Sequence, residues 1–174
     1  DLGTGTGDLA REALSAFPHA RVVGADFTLE MMRVGQKNGA LDFSTADALH
    51  LPFPDAEFDA VVSGFLMRNV INLHKALEEQ YRILKHGGRI VILDTTRPKK
   101  NLLSPFIWVH MHIIIPMLGK LLTGVGEAYR YLPETTEGFV TAEAMASHMA
   151  AAGFKNVHFA RLMFGTIAIH WAEK

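Results

Sequence analysis

The sequence predicts an α/β fold built on a mainly parallel, doubly wound sheet that ends in an antiparallel strand pair. Three observations carry this reading. Strand and helix signals alternate along the chain, as they do where helices cover both faces of a parallel sheet. The two strongest β-branched runs, Phe58-Asp59-Ala60-Val61-Val62-Ser63 and Arg89-Ile90-Val91-Ile92-Leu93-Asp94, are separated by one helix-length stretch. The tail alternates weakly around Val157 and Phe159 and again at Ile167, Ile169 and Trp171, with Gly165 marking a turn between them.

The elements follow in chain order. Asp1-Leu2-Gly3 reads as the end of a strand running into a loop, which predicts that the natural protein has an N-terminal segment upstream. Leu9 to Leu14 reads as the start of a helix. Arg21-Val22-Val23-Gly24-Ala25 is a short apolar run that ends at Asp26. Between the two strong strands, Leu73, Ala76, Leu77, Tyr81 and Leu84 recur at helical spacing, with Asn72 placed to cap the start and Gly87-Gly88 to close the segment. A further helix fits Thr141 to Ala152, with Gly153 at its C-terminal end. No internal repeat or low-complexity linker divides the chain, so residues 1–174 are expected to form one domain.

Composition narrows the class. The 174 residues are 49% hydrophobic and 20% charged, which excludes a disordered or fibrous chain. A formal net charge of −1 gives no electrostatic reason to expect nucleic acid. Without cysteine the chain has no disulfide, thiolate metal site or cysteine nucleophile. That count fits a cytoplasmic protein.

The chemistry concentrates near the start. In Asp1-Leu2-Gly3-Thr4-Gly5-Thr6-Gly7-Asp8 the glycines let the backbone turn sharply and approach a ligand, while the following helix presents free N–H groups. The loop suits a phosphate or the amino-acid end of S-adenosylmethionine. Asp26 lies 19 residues beyond Gly7 at the end of the next strand, where a carboxylate accepts hydrogen bonds from both hydroxyls of a ribose. A dinucleotide fingerprint would require glycine at Asp8, counting from Gly3, or at Ala10, counting from Gly5, which disfavours a nicotinamide oxidoreductase. Asp47, in Ala46-Asp47-Ala48, follows another strand and is either a partner for an adenine amino group or a solvated turn acid.

Taken together, the glycine loop, Asp26, Asp47 and Phe58-Asp59 resemble the ordered motifs of class I S-adenosylmethionine methyltransferases, over the whole chain and with the Rossmann-like fold that this implies. Gly64-Phe65-Leu66-Met67-Arg68-Asn69-Val70, Tyr81-Arg82-Ile83-Leu84-Lys85-His86-Gly87-Gly88-Arg89 and Leu93-Asp94-Thr95-Thr96-Arg97-Pro98 are similar to one branch, the ubiquinone/menaquinone-biosynthesis C-methyltransferases. Tyr129-Arg130-Tyr131-Leu132 and the ending from Gly165 to His170 share that similarity. The resemblance implies S-adenosyl-L-methionine held around Gly3, Gly5, Thr6, Gly7, Asp26, Asp47, Ala48 and Gly64. Gly64 stands where members often have serine, Asp94 and Thr96 where glutamate and serine are common, and His86 where proline is usual.

The reaction implied is C-methylation of a reduced polyprenyl quinone, a lipophilic quinol. No metal is needed, because the sulfonium donor is already activated. Arg68 is expected to stabilise the oxyanion of the acceptor, the plain alternative being an ordinary surface or salt-bridging arginine, and Asn69 either positions the same hydroxyl or caps the following turn. His110, His112, His170, Asp94 and Tyr129 are the candidate proton acceptors. The apolar stretch Leu102 to Leu122 approaches the ~20 residues of a membrane span, but Pro105, His110, His112, Pro116 and Lys120 argue against one. It reads either as a helix pair on the core or as a cover for a prenyl chain, with Lys99 and Lys100 placed for weak peripheral contact with anionic lipid. A homo-oligomer is left open. The rival readings are a methyltransferase for another small molecule and a non-catalytic S-adenosylmethionine-binding subunit.

Overall fold

The computed structural model of the chain describes residues 1–97 and 138–174. The apolar stretch 102–122, with His110 and His112, and the Tyr129-Arg130-Tyr131-Leu132 segment lie outside the described residues.

The described chain runs α1 (Asp8–Ala16), β1 (Val23–Asp26), α2 (Leu29–Gln36), β2 (Asp42–Thr45), β3 (Phe58–Gly64), α3 (Leu73–Ile83), β4 (Leu84–Thr95), α4 (Ala142–Ala151), β5 (Lys155–Leu162) and β6 (Ile167–Glu173). β1 pairs with β2 and β3 with β4, both parallel. β6 lies antiparallel between β4 and the edge strand β5. This is the mainly parallel α/β sheet with an antiparallel C-terminal strand that the pattern predicts.

Leu2 joins the two halves. It makes parallel bridges to Ala25 of β1 and to Ser63 of β3, so the sheet order is β2-β1-(Leu2)-β3-β4-β6-β5. The Leu2 amide donates to Val62 O at 2.9 Å, and the Ala25 amide donates to Asp1 O at 2.8 Å. Chain order reverses direction across this point. In open α/β sheets the crevice above the carboxyl ends of the strands at such a switch is where ligands bind.

The core sits on the face of the sheet covered by α3 and α4. Val61, Ile90 and Ile92 point into it against Ala76, Leu77 and Ile83 of α3 and Met145 and Met149 of α4. Burying each of the larger aliphatic side chains is worth about 1.5–3 kcal/mol. The helix starts follow local chemistry: Asn72 Oδ1 accepts from the Lys75 amide at 3.0 Å and Thr141 Oγ1 from the Ala144 amide at 3.2 Å, caps worth about 1 kcal/mol each. α3 ends at Ile83, earlier than the Gly87-Gly88 pair suggests. Leu84 already pairs with Phe58, and the register then jumps to Ala60–Arg89, so Lys85 to Gly88 bulge out of the ladder. Tertiary pairing of Leu84 overrides the glycine signal. α2 and β2, for which the sequence offers no comparable periodicity, complete the fold.

Candidate active site

A cleft of about 580 Å³ opens at the switch point, within the size range of small-molecule sites. Its floor is Leu2, Gly3 and Gly5; one side carries Asp26, Phe27, Thr28 and Met31, another Asp47, Ala48, Leu49 and Leu51. Phe65, Leu66, Asn69, Val70 and Ile71 close it from the segment after β3.

The glycine loop is built by its acid. Asp26 Oδ2 accepts from the Gly5 amide at 2.8 Å, and Oδ1 accepts from the Thr28 amide at 2.7 Å. The carboxylate therefore ties the loop before α1 to the end of β1, while each oxygen keeps lone-pair capacity for a ligand. Gly5 itself sits at φ 55°, a conformation that favours glycine. Gly7, at φ 86°, is the N-cap of α1, and a Cβ there would come within 2.7 Å of Leu41 Cδ2. The φ demands glycine here whatever the space, and the crowding by Leu41 adds to it.

The other expected cofactor residues divide. Gly3, Gly5, Asp26, Asp47 and Ala48 line the cleft; Thr6, Gly7 and Gly64 are not among its lining residues. Thr6 Oγ1 donates to Asp8 Oδ2 at 2.9 Å, and the Thr6 carbonyl accepts from Arg11 Nη1 at 2.7 Å. Arg11 also donates to Gly35 O, which stitches the loop to α2. Gly64 ends β3, where a Cβ would meet only Leu9 Cδ2, at 3.8 Å. Asp47 Oδ1 accepts from the Leu49 amide at 2.9 Å, and the turn closes through the His50 amide to Asp47 O. Asp47 is thus both a turn acid and a wall of the cleft.

Arg68 and Asn69 share a short 3-10 turn, Met67–Asn69, at the end of the Phe65 loop. Asn69 lines the cleft, and its Nδ2 donates to Phe65 O at 3.0 Å. Arg68 lies one layer back. Its Nη1 donates to Asp94 Oδ1 at 3.2 Å, its guanidinium carbon is 4.9 Å from the centre of the Phe65 ring, and Phe65 is the residue that faces the cleft. Both charged side chains are largely buried, 12% exposed for Arg68 and 3% for Asp94. Burial pushes the Asp94 carboxyl up, opposed by hydrogen bonds from the Thr95 amide and the charge of Arg68.

His170, a candidate proton acceptor, lies on β6 paired opposite Ile92. Its Nε2 is 2.9 Å from the Ala142 carbonyl oxygen, so Nε2 carries the proton, and burial holds its pKa below the ordinary histidine value. It belongs to the contact between β6 and α4. Sequence spacing misses the apolar lining from Phe27, Met31, Leu49, Leu51, Phe65, Leu66, Val70 and Ile71. Their one sequence signal is position: apart from Met31, in the first turn of α2, each lies in the segment that follows a strand end.

The model of the ubiE/COQ5 methyltransferase family matches residues 1–174. The ubiquinone/menaquinone biosynthesis C-methyltransferase UbiE of Desulfotalea psychrophila is 44% identical, over all of this chain and 72% of its own length. The demethylmenaquinone methyltransferase of Thermus thermophilus is also 44% identical, over all of this chain and 81% of its own. Among solved structures, a SAM-dependent methyltransferase from Thermotoga maritima superposes with a TM-score of 0.69 at 19% identity, covering 99% of this chain and 79% of that one. The Haemonchus contortus phosphoethanolamine N-methyltransferase 2 bound to S-adenosyl-L-methionine superposes with a TM-score of 0.72 at 17% identity, covering 100% and 47%. These two likenesses speak to the fold alone. The chain belongs to the ubiE/COQ5 methyltransferase family and is an S-adenosyl-L-methionine-dependent methyltransferase.

Proposed function

We propose that the enzyme methylates a ring carbon of a reduced polyprenyl quinone, of the demethylmenaquinol or ubiquinone-precursor type. The observation that carries this reading is whole-chain identity to relatives named for that chemistry. The cleft supports the cofactor half. Two carboxylates, Asp26 and Asp47, stand in a mostly apolar and backbone-lined site whose other polar side chains are Thr28 and Asn69, acceptors suited to a ligand bearing hydroxyl, amino and cationic groups.

In this reading Asp26 accepts from the ribose hydroxyls and Asp47 from the adenine amino group, with Ala48 beside it. Gly3 and Gly5 let the backbone approach the amino-acid end. Thr6 and Gly7 act one step removed, by shaping the loop through Asp8, Arg11 and Leu41. Gly64 leaves space beside Leu9. S-adenosyl-L-methionine supplies an activated methyl group, so the chain's task is alignment and exclusion of water. The acceptor carbon becomes nucleophilic when the neighbouring hydroxyl loses its proton. A phenol titrates near pH ~10 in water, and Arg68, fixed behind Phe65, favours the phenolate through its field. Asn69 positions the hydroxyl from the cleft wall.

Labelled S-adenosyl-L-methionine, incubated with a panel of short-chain quinols and with non-quinol methyl acceptors, tests the reading. Label transfer to a quinol ring carbon supports it. Turnover on other acceptors alone rejects it, and cofactor binding with no turnover on any acceptor points to a non-catalytic subunit. A lipophilic acceptor resides in a membrane, so the proposal includes peripheral contact with lipid, read by vesicle flotation. No helix among the described residues is long and apolar enough to cross a membrane.

A further inference from the structure

Beside the cleft, α3 reaches across to the loop that follows β2. Arg82 grips Glu79 with a two-pronged contact, Nε to Oε1 at 3.1 Å and Nη2 to Oε2 at 2.9 Å. The same guanidinium donates to Leu51 O at 3.0 Å and to Phe53 O at 2.8 Å. Glu79 Oε2 accepts from the Leu51 amide at 2.9 Å. One ion pair thus holds both backbone polar groups of Leu51 and the carbonyl of Phe53. Glu79 is 7% exposed and Leu51 5%, while the Arg82 side chain is 30% exposed, so it is the carboxylate and backbone end of the network that is withdrawn from water and costly to leave unpaired.

Leu51 is only four residues from Asp47. The turn between them is closed by the Asp47 carbonyl to the His50 amide and by Asp47 Oδ1 to the Leu49 amide. A turn so closed has little slack, and a shift of Leu51 carries Asp47, Ala48 and Leu49 with it. All four line the cleft. Neither Glu79 nor Arg82 is a lining residue.

We propose that Glu79 and Arg82 are positioning residues for the cofactor: their pairing sets one wall of the cleft by holding the backbone of Leu51 and Phe53. The inference rests on the reading of this cleft as the S-adenosyl-L-methionine site. Arginine is suited to the task because its planar fork meets two carboxylates, Glu79 and Asp55, and two carbonyls at once, which a lysine ammonium cannot do in the same geometry.

The test measures S-adenosyl-L-methionine affinity by calorimetry on the whole chain for Arg82→Ala, Arg82→Lys, Glu79→Gln and Asp26→Ala, with Lys85→Ala as a surface-pair control. Hydrogen exchange of the amides at 47–53 is followed in parallel. The expected result is roughly tenfold weaker binding for Arg82→Ala, on the scale of one lost charge-assisted hydrogen bond, with faster exchange at 47–53 and unchanged exchange in the middle of α3. Arg82→Lys, which keeps the charge and the fold, is expected to recover only part of the affinity. Glu79→Gln, whose amide oxygen still accepts from Leu51, is expected to fall between Arg82→Ala and the unsubstituted enzyme. A merely structural pair would lower the melting temperature and leave affinity untouched well below it. Affinity within twofold for Arg82→Ala and Arg82→Lys, while Asp26→Ala binds weakly, overturns the positioning role and leaves the site reading intact. Unchanged affinity in Asp26→Ala as well removes the site reading and the inference together.

Discussion

Asp94 holds Arg68 at both ends. Its Oδ2 accepts from the Arg68 backbone amide at 3.1 Å and its Oδ1 from the side-chain Nη1 at 3.2 Å. The arginine is therefore held in place, and the cost of holding it falls on a carboxylate that burial would rather keep protonated.

Removing that carboxylate leaves a buried charge without its partner. Asp94→Ala is expected to destabilise the fold by about 3–5 kcal/mol. Asp94→Asn, which still offers an oxygen to the Arg68 amide, is expected to cost less. Urea unfolding of the two variants checks the order. Equal stability for Asp94→Ala and the unsubstituted chain would show that the pair carries no such strain.

Arg68→Ala is expected to lower turnover with little change in S-adenosyl-L-methionine affinity, because Arg68 does not line the cleft. The loss is expected to be smaller than for a donor in direct contact with the oxyanion, since Arg68 sits behind Phe65 and is paired with Asp94. Single-turnover kinetics beside calorimetry separates the two effects. Near-normal turnover would leave Arg68 as a structural partner of Asp94.

Asp26→Ala is expected to weaken cofactor binding by roughly 1.5–3 kcal/mol, the worth of a charge-assisted hydrogen bond, and to loosen the Gly5 loop that it also holds. Calorimetry on the folded variant decides. Unchanged affinity would remove the ribose assignment.

The Glu79 carboxyl is lowered to about 2 from an ordinary 4.5, chiefly by hydrogen bonding from Arg82. A carboxylate with a depressed pKa contributes stability that is present above its unfolded value and lost as pH falls through the folded one. The contribution is therefore complete above about pH 4.5 and fades towards pH 2. Glu79→Gln is expected to flatten the stability–pH curve across that window. Chemical unfolding at several pH values reads it, and parallel curves for the two proteins would contradict the assignment.

Two glycines separate packing from ligand contact. Gly7→Ala forces a side chain into φ 86° and against Leu41, and is expected to cost about 1–3 kcal/mol. Gly64→Ala meets nothing closer than 3.8 Å and is expected to fold as well as the unsubstituted chain. Melting curves distinguish them; equal losses would show that the room beside Gly64 is not usable.

What the sequence determined by itself is local or periodic. Asn72 was legible as a cap because the amide it serves is three residues on, at Lys75; the matching cap at Thr141, on the Ala144 amide, came from the structure. Val61, Ile90 and Ile92 were legible as strand residues because alternation and β-branching are properties of neighbours in the chain. The same logic made the glycine loop and Asp26 recognisable, since a strand end followed by a turn can be read without knowing its partners. Tertiary structure decided the rest. It placed Leu2 between Ala25 and Ser63, set Arg68 against Asp94 across 26 residues, and brought Arg82 to Leu51 across 31. Each of these contacts depends on which strands lie side by side, and that order minimises the exposed apolar area of the whole sheet rather than of any one segment. Spacing along the chain carries no trace of such a choice.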